Sequence, residues 1–144
     1  MTPRKYEFKI VGYLPPKKGM DLSMFGKPGE AEKLIALRIV ALEAMQGDPH
    51  LTSNIRLNLM VHVGPINNRM TGDLDSFIAG ICDGLMAASP DAKIDSAFDN
   101  PDLKPIHPSK TIAIEDDSQV IEITARKVIS DEQTPWYEVI LEGI

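Results

Sequence analysis

Residues 55–63 alternate strictly between apolar and more polar side chains, and this alternation constrains the fold most strongly. The apolar positions are Ile55, Leu57, Leu59, Val61 and Val63. Successive residues of a strand face opposite sides of a sheet, so the pattern predicts a β-strand with one buried face. A sheet with one buried face has to pack against a second layer, which other segments must supply.

Residues 72–88 predict an amphipathic helix that fits this second layer. Apolar residues recur there at helical spacing and form one stripe of Leu74, Phe77, Ile78, Ile81, Cys82, Leu85 and Met86. Asp75, Ala79 and Asp83 recur every four residues on a different face. Asp73 is placed as the N-cap, where its carboxylate is expected to accept a backbone N–H. Like charges on one helix face repel each other, so a divalent cation is the natural partner to seek.

The remaining periodic segments predict one more helix and three more strands. Residues 6–10 alternate as a first strand, and residues 112–128 and 136–141 return to strand character. Residues 28–45 read as a helix. Its expected core-facing stripe consists of Ala31, Leu34, Ile35, Ile39 and Leu42.

The order of these segments predicts an α+β fold in a single domain over residues 1–144. We expect a mixed β-sheet of about four strands with two main helices packed on it. Residues 89–110 contain four prolines and little periodicity, which favours a loop insertion.

Composition limits the function and the compartment. The formal net charge of −6 argues against a general nucleic-acid coat protein, which would usually be basic. With Cys82 as the single cysteine, no intramolecular disulfide can form, so we expect a reducing and hence cytoplasmic compartment. No apolar run is long enough for a signal peptide or a membrane span, so no membrane partner is expected.

Two acidic clusters are candidates for chemistry. Asp73, Asp75 and Asp83 belong to the predicted helix, and Asp116 and Asp117 come just before strand character resumes. Taken separately, each cluster has an ordinary structural explanation, as a helix N-terminus or as a turn. If the two clusters converged, their carboxylates could hold Mg²⁺ together with waters and substrate oxygens.

Both clusters lie within motifs of a known family. Residues 72–85, GDLDSFIAGICDGL, resemble the D-L-D-N-x-x-K-x-x-x-D-x-L signature of RusA-type Holliday junction resolvases. Residues 114–120, IEDDSQV, resemble that family's second signature, a hydrophobic residue followed by D-D-x-Q-V. The pair Pro15-Pro16 after the first strand also fits, so the resemblance covers most of the chain outside the insertion.

The resemblance implies a RusA-like fold and a homodimeric, Mg²⁺- or Mn²⁺-dependent endonuclease that resolves four-way DNA junctions in recombination and repair. Carried over by position, Asp73, Asp75 and Asp117 match catalytic and metal-binding residues. Asp83 and Asp116 match further acidic positions of the two signatures. The expected partners are branched DNA and a second copy of the chain, and the three catalytic carboxylates are expected to reach one divalent ion.

Three departures from the family pattern leave two interpretations open. Ser76 replaces an asparagine, Ala79 replaces a lysine, and the loop between the signatures is longer. A basic residue elsewhere could replace the lysine, or the protein could be a catalytically weak or inactive DNA-binding or assembly module. The candidate DNA-binding residues are Lys17, Lys18, Arg69, Arg126 and Lys127. For the Lys17-Lys18 pair a solvated loop is the favoured interpretation and a phosphate contact the alternative.

Overall fold

A computed structural model describes residues 4–17, 24–64, 73–129, 131 and 134–144. Four strands form one mixed sheet, and two main helices cover one of its faces, which confirms the expected α+β class. The elements in chain order are β1 (Lys5–Val11), α1 (Pro28–Met45), β2 (Ile55–Val63), α2 (Leu74–Leu85), β3 (Val120–Ile129) and β4 (Trp136–Gly143). Neither α1 nor α2 is long and apolar enough to cross a membrane.

The order of strands across the sheet is β1-β4-β2-β3. β4 pairs antiparallel with both β1 and β2, while β2 and β3 run parallel. Parallel neighbours need a crossover connection, and α2 lies in that connection between β2 and β3. This topology puts β3 at one edge of the sheet and brings α2 beside it.

The alternation of residues 55–63 correctly predicted a strand with one buried face. Every apolar residue of β2 is buried, and its more polar residues are only half-buried on the opposite face. Phe77, Ile81 and Leu85 of α2 are fully buried against the sheet, as their spacing predicted. On the open face, the His62 ring stacks on Trp136 with 3.5 Å between ring centroids.

The predicted core stripe of α1 is partly wrong. Ala31 and Leu34 are buried as expected, but Ile39 is exposed. The buried positions of the second half of α1 are Leu37, Arg38, Ala41 and Met45. Here both the sheet and residues 89–110 cover the helix. The buried surface of α1 is therefore wider than the predicted stripe and extends further around the helix axis.

Arg38 is completely buried and holds residues 89–110 against the two helices. Its guanidinium donates hydrogen bonds of 2.6–3.0 Å to five backbone carbonyl oxygens, those of Gly84, Met86, Ile106, His107 and Lys110. Two short 3₁₀-helices, Ser96–Asp99 and Pro101–Ile106, bury Phe98 and Ile106 in the same region. The predicted loop insertion therefore has an ordered, packed structure of its own.

The strand predicted over residues 112–128 begins only at Val120. The backbone N–H groups of Ile112 and Ala113 both donate to the Leu85 carbonyl at 3.1 Å. That carbonyl belongs to the last turn of α2, where intrahelical donors run out. These apolar residues are buried as part of the helix end rather than as part of the sheet.

Candidate functional site

A groove of about 480 Å³ lies between α2 and the edge strand β3. Most of its lining is apolar, and two carboxylates, Asp75 and Asp117, complete it. The apolar lining residues are Leu74, Ile78, Ala79, Cys82, Val120, Ile123 and Ala125. The two acidic signatures, far apart in the sequence, thus each contribute one aspartate to a single groove.

The start of α2 differs from the expected cap. Asp73 is the N-cap residue, but its carboxylate accepts no capping hydrogen bond. Its backbone carbonyl instead accepts the Phe77 N–H at 3.1 Å. Asp75, in the first turn, is exposed and accepts the Ser76 N–H at 3.1 Å. Of the two, Asp75 lines the groove and Asp73 does not.

Asp117 sits in a tight turn that Gln119 fixes from two sides. The Gln119 side-chain oxygen accepts the N–H groups of Glu115 at 2.7 Å and Asp116 at 3.0 Å. Its side-chain nitrogen donates to the carbonyls of Leu51 at 2.8 Å and Ser53 at 3.0 Å. The Gln119 side-chain amide therefore connects the acidic turn, through hydrogen bonds, to the segment that leads into β2.

Asp116 acts as the cap of this turn. Its carboxylate accepts the Ser118 N–H at 3.0 Å, and a capping box with Gln119 is complete. The hydrogen bond from the Ser118 backbone, followed by one with the Asp117 side chain, lowers the pKa of Asp116 from its ordinary value. Asp116 thus serves the turn, and Asp117 is the member of the pair that lines the groove.

The pKa of the Cys82 thiol indicates which part of α2 lies near Asp117. Burial, followed by the charges of Asp117 and Asp83, raises the pKa of the Cys82 thiol to about 12. Asp117 therefore lies near the second half of α2. Asp75 lines the same groove from the first turn of α2.

The predicted metal ligands are only partly brought together. Within the described ranges, no group of three or more His, Cys, Asp or Glu side chains could hold a metal ion. The donors that do share the groove are two carboxylates and a thiol that stays protonated at neutral pH. Mg²⁺ prefers oxygen ligands and is usually bound by one or two carboxylates, waters and substrate phosphates. The donor chemistry of the groove fits such a hard cation.

The basic candidates are dispersed around the groove. The Lys17 backbone lies against α2 at Gly80. Successive helix residues point in directions about 100° apart, so Gly80 does not face the same way as Ala79. Arg126 lies on the open face of the sheet, with its guanidinium 3.8 Å from the Met60 sulfur. Lys127 pairs in register with buried Val61 and so shares the sheet face that α2 covers. Lys18 and Arg69 lie outside the described residues.

None of the described residues that line the groove is basic. Ala79 is part of the lining. The described lining therefore contains two acidic side chains and no basic one.

Sequence analysis missed two features that shape the site. Arg38 has no place in the predicted stripe of α1, although its position next to buried Leu37 in that helix is a signal of burial. Gly80 was read as part of a motif, although it is where the chain after β1 touches α2: an added Cβ would lie 1.8 Å from the Pro16 carbonyl oxygen. Comparison of the chain with known protein families and with curated proteins finds no match.

Proposed function

We propose that this protein is a metal-dependent, structure-selective DNA endonuclease that resolves four-way junctions in recombination and repair. The observation that carries the proposal is the pairing of Asp75 and Asp117 in one groove. These residues come from two separate motifs that resemble the RusA-type signatures.

The residues of the groove have distinct roles in this proposal. Asp75 and Asp117 would hold Mg²⁺ or Mn²⁺, which supplies a Lewis acid and lowers the pKa of a bound water. Gln119 and Asp116 keep the Asp117 turn in place through the hydrogen bonds described above.

The proposed substrate partner is branched DNA, and the proposed assembly is a homodimer. A four-way junction has two-fold symmetry, and a symmetric dimer presents two equivalent sites to two strands. The candidate DNA contacts in the described part of the chain are Lys17, Arg126 and Lys127. Phosphate contacts of this kind give affinity that falls steeply with salt concentration.

One observation favours a second candidate, a catalytically weak or inactive DNA-binding or assembly module. Ala79 lines the groove, and no described lining residue is basic. Without a cation there, the carboxylates repel a phosphate until a metal binds. This candidate keeps the fold and the surface and loses the cleavage step.

The test is cleavage and gel-shift on a synthetic four-way junction with Mn²⁺. We expect wild type to cut and Asp75→Asn and Asp117→Asn to bind the junction without cutting it. Asp91→Asn, at an exposed position outside the groove, is the matched control and should cut like wild type. Cleavage that survives in both Asp75→Asn and Asp117→Asn would show that the groove is not the active site.

Ala79→Lys separates the two candidates. Lysine is a good helix former, so the change should be tolerated, and it adds a cation to the groove. We expect stronger junction binding with a steeper salt dependence. If wild type and Ala79→Lys both neither bind nor cut the junction, the nuclease proposal fails and the assembly module is the better account.

A further inference from the structure

The solvent side of α1 is apolar where a surface helix is ordinarily polar. A helix that packs on one side usually carries charged or polar residues on the other. From Leu34 to Leu42, about two and a half turns, the only polar side chain is Arg38, and Arg38 is buried. The solvent side of these turns is therefore made of apolar residues alone, and Ile39 among them is 36% exposed.

Four residues form a line along this side of the helix. Glu32, Ala36, Ile39 and Glu43 follow one another at intervals of four, three and four residues, which keeps them on one face. Ala36 is half-buried and the other three are exposed. The two glutamates are about three turns apart, or about 16 Å along the helix axis. These four residues define the outer face of α1, an apolar centre with a carboxylate at each end.

The charge of this face determines what can cover it. Neither Glu32 nor Glu43 has an ion-pair partner within the part of the chain that the structure describes. Lys33, the other cation of α1 besides buried Arg38, pairs with Glu30 at 3.3 Å.

A second copy of α1 does not complement this face. An antiparallel pair of such helices places Glu32 opposite Glu43 at both ends, and a parallel pair places each glutamate opposite its own copy. The helix α2 cannot take that place either, because residues 74–85 include no lysine or arginine. Like charges that face each other across an interface are unfavourable, so the occupant has to carry cations.

We infer that the outer face of α1 docks an amphipathic helix of another protein, with an apolar centre and a lysine or arginine at each end. Helices associate by packing the side chains of one into the grooves of the other, and the small side chain of Ala36 leaves room for a partner residue. Cations about three turns apart on the partner reach Glu32 and Glu43 together. The intervals of four, three and four residues are the same in both directions, so the partner can run parallel or antiparallel to α1.

The test uses the intact protein and two synthetic peptides, without DNA or metal. Each peptide is about 16 residues long, rich in alanine, and held helical by a covalent link between side chains on its back. One carries lysine, leucine, leucine and lysine at intervals of four, three and four residues, and the other has glutamate in place of both lysines. Fluorescence anisotropy of the labelled peptides at low ionic strength measures binding. We expect the lysine peptide to bind about 10-fold more tightly than the glutamate peptide, with affinity that falls as salt is added.

Exchange of the charges on α1 should reverse this preference. Glu32→Lys combined with Glu43→Lys should bind the glutamate peptide about 10-fold more tightly than the lysine peptide. The fold should be retained, because lysine is less favourable near the start of a helix and more favourable near its end. Glu7→Lys combined with Glu138→Lys changes the net charge equally on the sheet face away from the helices, and this matched control should keep the preference of wild type. Ile39→Asn should weaken binding of the lysine peptide about 10-fold by removing the apolar centre.

Three results would overturn the inference. The two peptides could bind wild type equally well or not at all, or the control variant could reverse the preference as fully as the α1 variant does. Ile39→Asn could also convert a wild-type oligomer into a smaller species in sedimentation, which would show that a second copy of this chain covers the face. None of these measurements depends on nuclease activity, so the docking face and the nuclease proposal stand or fall separately.

Discussion

Gly80→Ala is the substitution whose effect the structure defines most directly. A Cβ at this position would lie 1.8 Å from the Pro16 carbonyl oxygen and 2.5 Å from its carbon. Both are backbone atoms, so no side-chain rotation relieves the contact, and the segment that carries Lys17 has to move away from α2. Overpacking of a well-packed contact costs about 1–3 kcal/mol and occasionally more.

The expected net loss follows from two opposing terms. Alanine favours a helix over glycine by about 1 kcal/mol, which offsets part of the overpacking cost. Because this contact is so short, we take the upper end of that range and expect a loss of about 2 kcal/mol. For a chain of this size that lowers Tm by about 4–8 °C. Thermal unfolding followed by circular dichroism measures it directly.

Two other glycines provide matched controls. Gly29, in the first turn of α1, has nothing within 4 Å of an added Cβ, so Gly29→Ala should leave Tm unchanged or raise it. At Gly84 the nearest atom is a Leu37 methyl carbon at 2.8 Å, which belongs to a side chain that can rotate. Gly84→Ala should therefore fall between the other two. A Gly80→Ala protein with the Tm of wild type would refute the close approach of Pro16 to α2.

Four further predictions concern the residues that support or report on the groove. Arg38→Met should destabilise the fold by about 2–6 kcal/mol in urea unfolding, because the buried carbonyls of Gly84 and Ile106 each lose their donor at about 1–3 kcal/mol. A loss under about 1 kcal/mol would contradict the role of Arg38. Gln119→Leu should speed amide hydrogen exchange at Asp116, whose N–H loses its acceptor, and unchanged exchange there would reject the anchoring of the turn. Native Cys82 should react with an alkylating reagent at pH 8 on the order of 10³-fold more slowly than a free thiol, and faster as pH rises, because its pKa of about 12 leaves little thiolate. Asp117→Asn should speed this labelling by removing one charge that raises the pKa, and an unchanged rate would place Asp117 away from Cys82.

The elements with a strong period could be predicted from the sequence. β2 has the predicted bounds, residues 55–63, because its alternation is complete and Gly64 follows it. The apolar stripe of α2 is buried as its spacing indicated, although the helix is shorter than predicted at both ends. In these segments local pattern and tertiary packing favour the same structure.

Tertiary contacts decided the parts that the sequence could not predict. Ile112 and Ala113 look like strand residues, but their N–H groups satisfy the end of α2 instead of a ladder. Arg38 is an arginine in a helix, and only the convergence of five carbonyls from distant segments explains its burial. Both cases depend on which backbone groups lack a partner after folding, and sequence periodicity carries no information about that.

The candidate site was predictable in its residue types and not in its geometry. The two signatures pointed to Asp75 and Asp117, and the groove contains both. The spacing could not indicate that Asp73 stays outside the groove or that Asp116 caps a turn. Those roles depend on the backbone conformation at the start of α2 and before β3.

The most direct test of the central claim is a crystal structure with bound Mn²⁺, located by its anomalous scattering. The account predicts an ion in the groove between α2 and β3, coordinated by Asp75 or Asp117 or both, with water at the remaining positions. Asp75→Asn together with Asp117→Asn should remove that ion. A well-ordered ion bound elsewhere, or a groove that stays without Mn²⁺ at concentrations that support junction cleavage, would contradict the account.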